Sequence, residues 1–224
     1  VNQDGEVTAL KEGSATITLR ATNKYTHKES NIMATVRLSV KNEFVIEDRI
    51  LVAYKGLGGR VVIPDDEGIL YIGSYAFCLY ETDYSVELPE DDFDANKIPS
   101  TNTSITSVVI PYGVEEIQKY AFYNCTALQE VEIPTSVKFI REYAFYNDAK
   151  LTTIKLAGTA TEDNIGMEAT KVETIGANAF AGCTSLTGVN LSKVFAMGEK
   201  AFDGCTSLKR IVFNDGVTAF GYGV

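Results

Sequence analysis

Few side chains here could do chemistry, and their spacing suits catalysis poorly. The chain has one imidazole, His27, and it sits in a charged stretch, residues 23–31, that reads as a solvated turn. A catalytic site needs a nucleophile, a base and a stabilising donor converging in a cleft. No Gly-x-Ser-x-Gly turn or His-Glu-x-x-His pair occurs, and Gly56-Leu57-Gly58-Gly59 has no helical pattern after it to receive a phosphate. Cys78, Cys125, Cys183 and Cys205 lack Cys-x-x-Cys spacing, which with a single His argues against zinc. Residues 81–94 carry seven carboxylates and no basic group, but lack the alternation of a calcium loop and read as a solvated face. The expectation is therefore no enzyme, no metal and no cofactor.

The tyrosines are spaced more regularly. Tyr75, Tyr120 and Tyr143 each precede an Ala-Phe pair, Tyr123 and Tyr146 follow one, and Tyr112 lies nearby. If the Phe points inward, its neighbours are expected to point outward as an aromatic stripe. Such a stripe suits sugars and protein partners alike. The competing reading is that these rings simply cover the edges of a repeat.

That repeat is what must position them. Ala121-Phe122-Tyr123-Asn124-Cys125-Thr126-Ala127-Leu128 returns as Ala144-Phe145-Tyr146-Asn147-Asp148-Ala149-Lys150-Leu151, again at 179–186, and again at 201–208. A second phrase, Val131-Glu132-Ile133-Pro134, has counterparts whose last apolar residues are Ile63, Leu88, Ile110, Ile133, Leu156, Leu191 and Phe213. Their steps are 25, 22, 23, 23, 35 and 22 residues. A period of this size means stacked units that bury their apolar sides only against each other. Seven rungs at ~4.8 Å give an array of roughly 30 Å. The Val-x-Ile alternation predicts a half-buried strand ended by proline, and the Ala-Phe segment a tight turn or short helical turn. Phe77, Phe122, Phe145, Phe180 and Phe202 should form one buried column. Alternation puts Arg60/Val62, Ser85/Glu87, Ser107/Val109, Glu130/Glu132, Thr153/Lys155, Gly188/Asn190 and Arg210/Val212 on the outer strand face, a second candidate binding surface. The cysteines read as buried thiols rather than bridges, with Cys78 off register.

The pattern Ile-x-x-x-Ala-Phe-x-x-Cys-x-x-Leu-x-x-Val-x-Ile-Pro resembles the BspA-like leucine-rich repeats of bacterial surface proteins, over about residues 44–224. The resemblance implies a solenoid of strand-plus-turn rungs of ~23 residues with a parallel sheet, and a role in adhesion to host or matrix proteins. Two departures stand out. The unit between Leu88 and Ile110 lacks the Ala-Phe pair, and the step from Leu156 to Leu191 carries an extra stretch near residues 158–170. Before the first rung, Phe44-Val45-Ile46 and Ile50-Leu51-Val52-Ala53-Tyr54 flank a polar turn, which predicts a capping hairpin within residues 42–62 of a repeat domain spanning 42–224. Residues 1–41 instead show alternating Thr/Val/Ile strands and resemble the C-terminal half of a group 2 bacterial Ig-like domain.

Charge narrows the partners further. Residues 1–41 hold six basic and four acidic residues, leaving 14 basic against 26 acidic in the rest and −10 overall. So acidic a surface repels nucleic acid and anionic lipid, and no apolar run approaches the ~20 residues of a spanning helix. The chain begins at Val1 and reads as a mature fragment from which any export signal has been removed, and its last phrase, Val217-Thr218-Ala219-Phe220-Gly221, stops where another Ala-Phe pair would be due. These features predict an exported cell-surface adhesion protein that binds extracellular or host protein. The rivals are a glycan-capture module using the tyrosines and a structural spacer.

Overall fold

The computed structural model describes residues 13–22, 29–40, 43–78, 102–156, 171–213 and 219–223, with side chains for all of these except 13–22, 29–40, 155–156 and 213. His27, the acidic residues 81–94, the outer pair Ser85/Glu87 and the stretch 158–170 lie outside the described residues.

Alternation of Thr with apolar residues gives β1 (Gly13–Thr22) and β2 (Glu29–Val40), an antiparallel pair with a bulge between Arg20 and Thr22. They belong to one compact unit, Val1–Glu43, and everything from Phe44 to Val224 forms a second.

The second unit starts with β3 (Phe44–Glu47) and β4 (Ile50–Tyr54), antiparallel around Asp48-Arg49. Both turn residues have positive φ, 48° and 67°, as a two-residue hairpin loop with right-handed strand twist requires. Each rung then contributes a longer strand and a two-residue strand. These are β5 (Gly59–Val62) and β6 (Tyr71–Ile72), β7 (Ile105–Val109) and β8 (Glu116–Ile117), and β9 (Glu130–Ile133) and β10 (Phe139–Ile140). They continue as β11 (Thr153–Leu156) and β12 (Thr174–Ile175), β13 (Gly188–Leu191) and β14 (Ala196–Met197), and β15 (Arg210–Phe213) and β16 (Ala219–Phe220). The short strands stack in parallel into one sheet, ending at β4 and then β3, so the hairpin covers the first rung. The longer strands form a four-stranded parallel sheet, β5 to β11, and a two-stranded one, β13 with β15. The Ala-Phe segments are turns, and no helix occurs among the described residues.

One expected rung is corrected. Strand β5 pairs directly with β7, Val61 opposite Val108, and the Phe77 and Phe122 rings stack 4.5 Å apart. No further strand therefore separates β5 from β7, and Val86-Glu87-Leu88-Pro89 lie outside the described residues. Asn102 explains why: it stands three residues before Ile105 and six before Val108, as Cys125 stands before Leu128 and Val131. Ala76-Phe77 and the segment from Asn102 to Ile110 are two halves of one rung, and residues 79–101 interrupt it. The apparently missing Ala-Phe pair is present, displaced along the chain. The buried Asn102 closes the join, with Nδ2 donating to Phe77 O at 2.9 Å and Oδ1 accepting from the N–H groups of Ser104 and Ile105.

The phenylalanine column is present as expected. Successive ring centroids from Phe77 to Phe202 lie 4.5, 4.9, 5.1 and 5.2 Å apart and within 13° of parallel. Their spacing is the rise between parallel strands, so backbone pairing itself dictates ring stacking. Val108, Val131 and Ile154 on the strands, and Leu128, Leu151 and Leu186 beside them, are wholly buried around it.

Glycine recurs just after the short strands, at Gly73, Gly176, Gly198 and Gly221. The reason is space. A Cβ at Gly198 would lie 2.2 Å from Ala177 N and 2.6 Å from Gly176 C, both backbone atoms of the preceding rung. Gly198→Ala should therefore cost about 1–3 kcal/mol by forcing two rungs apart. Urea unfolding measures this, and unchanged stability would show that the rungs separate freely.

Candidate binding surfaces

The turn before each Ala-Phe pair carries one left-handed residue: Tyr75 (φ 59°), Tyr120 (60°), Tyr143 (57°), Asn178 (55°) and Lys200 (53°). A bulky residue there costs roughly 1–2 kcal/mol. Stacking offsets this at the three tyrosines. Tyr75 and Tyr120 lie 4.8 Å apart, Tyr120 and Tyr143 5.0 Å, and Tyr123 stacks on Tyr146 at 5.2 Å. Tyr75 and Tyr123 are buried; Tyr120, Tyr143 and Tyr146 are half-buried. The Cys78 thiol sits beneath, donating to the carbonyls of Tyr120 and Tyr123 at 3.6 and 3.5 Å. Burial, then the neighbouring Tyr143, pushes the Tyr120 hydroxyl up to about 12.

This corrects the outward aromatic stripe. Identical aromatics in successive rungs are separated by the strand rise, which is also a ring-stacking distance, so they cover one another's faces. The faces between successive rings are thereby closed to a sugar, which as a platform ligand needs a free face. Tyr112 stands apart, 78 % exposed in the turn before Gly113.

Strand register assembles the second surface. On the long-strand sheet it aligns Arg60, Ser107, Glu130 and Thr153 in one row, and Val62, Val109, Glu132 and Lys155 in another. On the β13–β15 pair Gly188 is opposite Arg210, and Asn190 opposite Val212. Arg60 and Arg210 are exposed, Glu130, Glu132, Thr153 and Asn190 half-buried, and Gly188 is buried. The Arg60 guanidinium reaches Glu132 at 3.9 Å across the middle strand. Asn190 Oδ1 accepts from Ser192 N–H, which fixes its amide.

A third column runs through the interior: Asn102, Cys125, Asp148, Cys183 and Cys205 occupy equivalent places in their rungs. The thiols of Cys125, Cys183 and Cys205 donate to the carbonyls of Phe77, Phe145 and Phe180, one rung back. All four cysteines are free thiols. Burial pushes the Cys125 and Cys183 thiols well above their ordinary range and Cys205 up to about 11, which removes the thiolate that reactivity needs. Asp148 replaces a cysteine here, and burial drives its carboxyl well above the ordinary carboxylate range. Among the described residues no group of His, Cys, Asp or Glu is arranged to hold a metal ion.

The sequence did not reveal a fourth feature. A polar groove of about 330 Å³ opens beside the short-strand sheet, lined by Ser74, Glu116, Gln118, Lys119, Arg141 and Glu142. Arg141 donates to Glu116 Oε2 at 2.6 Å and lies 5.0 Å over the Phe139 ring. The readable signal was the glycine column. Gln118 and Arg141 occupy the place that is glycine in the rungs of Gly73, Gly176, Gly198 and Gly221, and the groove lies at these two rungs.

The model of the BspA type leucine rich repeat region matches residues 59–165 and 95–224, with six copies. The chain belongs to this family. Six longer strands, β5, β7, β9, β11, β13 and β15, fall within that span among the described residues. Among solved structures, this BspA-type chain is similar to the T. pallidum leucine rich repeat protein. The TM-score is 0.51 at 20% identity, over 80% of this chain and 82% of that one. A leucine rich cell surface protein from Faecalibacterium prausnitzii matches at 22% identity and TM-score 0.40, over 82% of this chain and 54% of that one. A leucine-rich repeat protein from Eubacterium ventriosum matches at 20% and 0.47, over 82% and 49%. The chain thus spans about half the length of the latter two. The first of these similarities shows the shared fold. No curated protein matches significantly. Among the described residues, no helix is long and apolar enough to cross a membrane.

Proposed function

We propose that this protein is a non-enzymatic, exported binding module of a bacterial cell surface that adheres to extracellular or host protein through the outer face of its long-strand sheet. The observation that carries this reading is the pair of rows set by strand register, in which Glu130 and Glu132 lie between Arg60 and the position of Lys155. Charge that changes sign over a few rungs suits a protein partner with its own fixed pattern, and solenoids present such extended surfaces for binding. Family membership supports a scaffold role. Residues 1–41, read as part of an Ig-like module, would serve as a spacer.

Surface-binding assays of the intact protein against a panel of matrix proteins test this. Saturable binding is expected, and Glu130→Lys with Glu132→Lys should weaken it by about tenfold or more through like-charge juxtaposition. Thermal unfolding of that variant should stay within a few degrees of wild type. Absence of binding across the panel favours the spacer reading. Undiminished binding by the double variant places the contact elsewhere.

A further inference from the structure

The groove beside the short strands is built differently from the strand face. Its four charged residues, Glu116, Glu142, Lys119 and Arg141, cancel, although residues 42–224 hold 26 acidic against 14 basic side chains. Two of these charges already satisfy each other, Arg141 on Glu116 at 2.6 Å. What remains is one orphaned acceptor and several donors. Glu142 Oε2 is buried and has no hydrogen-bond partner among the described residues. Gln118 Oε1 accepts from Ser74 N–H at 3.1 Å, which orients the amide and leaves its NH2 to donate. Lys119 is exposed at the rim.

We propose that this groove binds neutral sugar residues of a glycan. A hydroxyl both donates and accepts, so adjacent ring hydroxyls can give a proton to the Glu142 carboxylate, which lines the groove, while accepting from Gln118 and Lys119. An anionic ligand would gain Lys119 but face Glu116 and Glu142, and a cationic one would meet the reverse conflict. The volume of about 330 Å³ falls at the small end of the range for ligand sites, enough for one or two sugar rings.

The lining is also held in place before any ligand arrives. Ser74, Lys119 and Glu142 immediately precede Tyr75, Tyr120 and Tyr143, whose rings stack across the three rungs. The Phe139 ring and Glu116 fix the Arg141 guanidinium. Preorganisation of this kind reduces the ordering cost of binding. In this arrangement the tyrosines support the site from behind and do not touch the sugar face to face.

The site is separate from the strand rows, so the two proposals fail separately. The test titrates the intact protein with maltotriose, cellotriose and N-acetylated chitotriose, using trigalacturonate as an acidic control, read by saturation-transfer NMR. At least one neutral trisaccharide should saturate and the acidic control should not. Glu142→Gln removes the charged acceptor from the groove lining and should weaken binding about tenfold, the worth of one hydrogen bond to a charged group. Lys119→Ala, at an exposed rim position where folding is not at stake, should weaken it several-fold. Failure of all three neutral sugars to saturate, preference for the acidic one, or unchanged affinity in both variants would overturn the assignment.

Discussion

Phe145→Ala should remove about 3–5 kcal/mol of stability, the cost of truncating a fully packed aromatic. The Phe145 side chain is wholly buried and stacks at 4.9 Å on Phe122 and at 5.1 Å on Phe180. The space left cannot close, because the backbone on both sides is pinned. Phe122 N–H donates to Ala144 O and Phe145 N–H to Ala179 O, each at 2.8 Å. The cavity term therefore adds in full to the lost transfer energy. In a stacked array each rung is stabilised by its neighbours, so a defect here also uncouples the rungs on either side. Urea unfolding followed by fluorescence and circular dichroism should show a lower first midpoint and a broadened or split transition. Phe202→Ala is the control, since that ring stacks on Phe180 and is half-buried; it should cost clearly less. Equal costs would mean that the column does not act as one interior.

How much was legible follows from what repetition reveals. The Phe column, the Val-x-Ile strands and the hairpin about Asp48-Arg49 were readable because each is fixed by residue type at a fixed spacing. The rung count was not. Val86-Glu87-Leu88-Pro89 has the apolar pattern of a strand and stands at nearly the right spacing, but hydrogen-bond register, which sequence spacing does not encode, joins β5 to β7. Asn102 in place of cysteine was the clue, legible only once three-residue offsets to Ile105 and Val108 are compared with those of Cys125. The tyrosines kept two readings for a different reason. Alternation tells which side chains leave the core of one rung, not that the next rung covers them 5 Å away. The groove needed both failures repaired, since it lies where Gln118 and Arg141 replace glycine and where the tyrosine ladder supports their neighbours.

Asp148→Asn should stabilise the protein at neutral pH, by an amount that grows as pH rises. Asp148 is fully buried in the cysteine column, with Oδ1 accepting from Cys125 N–H at 2.7 Å and Oδ2 without a partner among the described residues. Burial raises its carboxyl well above the ordinary value of 3.8, and the Cys125 hydrogen bond only partly opposes this. The folded protein therefore keeps this acid protonated to higher pH than the unfolded chain does. Below about pH 3.8 both states are protonated and the residue imposes no penalty. Above it, folding must take up a proton, so stability falls with rising pH by at most about 1.4 kcal/mol per unit until the folded-state value is passed. The amide keeps an acceptor for Cys125 N–H, offers protons at the place of Oδ2, and does not titrate. The curves of unfolding free energy against pH for wild type and for Asp148→Asn should thus converge near pH 4 and diverge as pH rises until the folded-state value is passed, with wild type lower. Taking the difference between the two proteins removes the titration of every surface carboxylate they share. Parallel curves would mean that Asp148 is ionised in the folded state, and then the interior must supply a counter-charge or water that offsets the burial of a carboxylate.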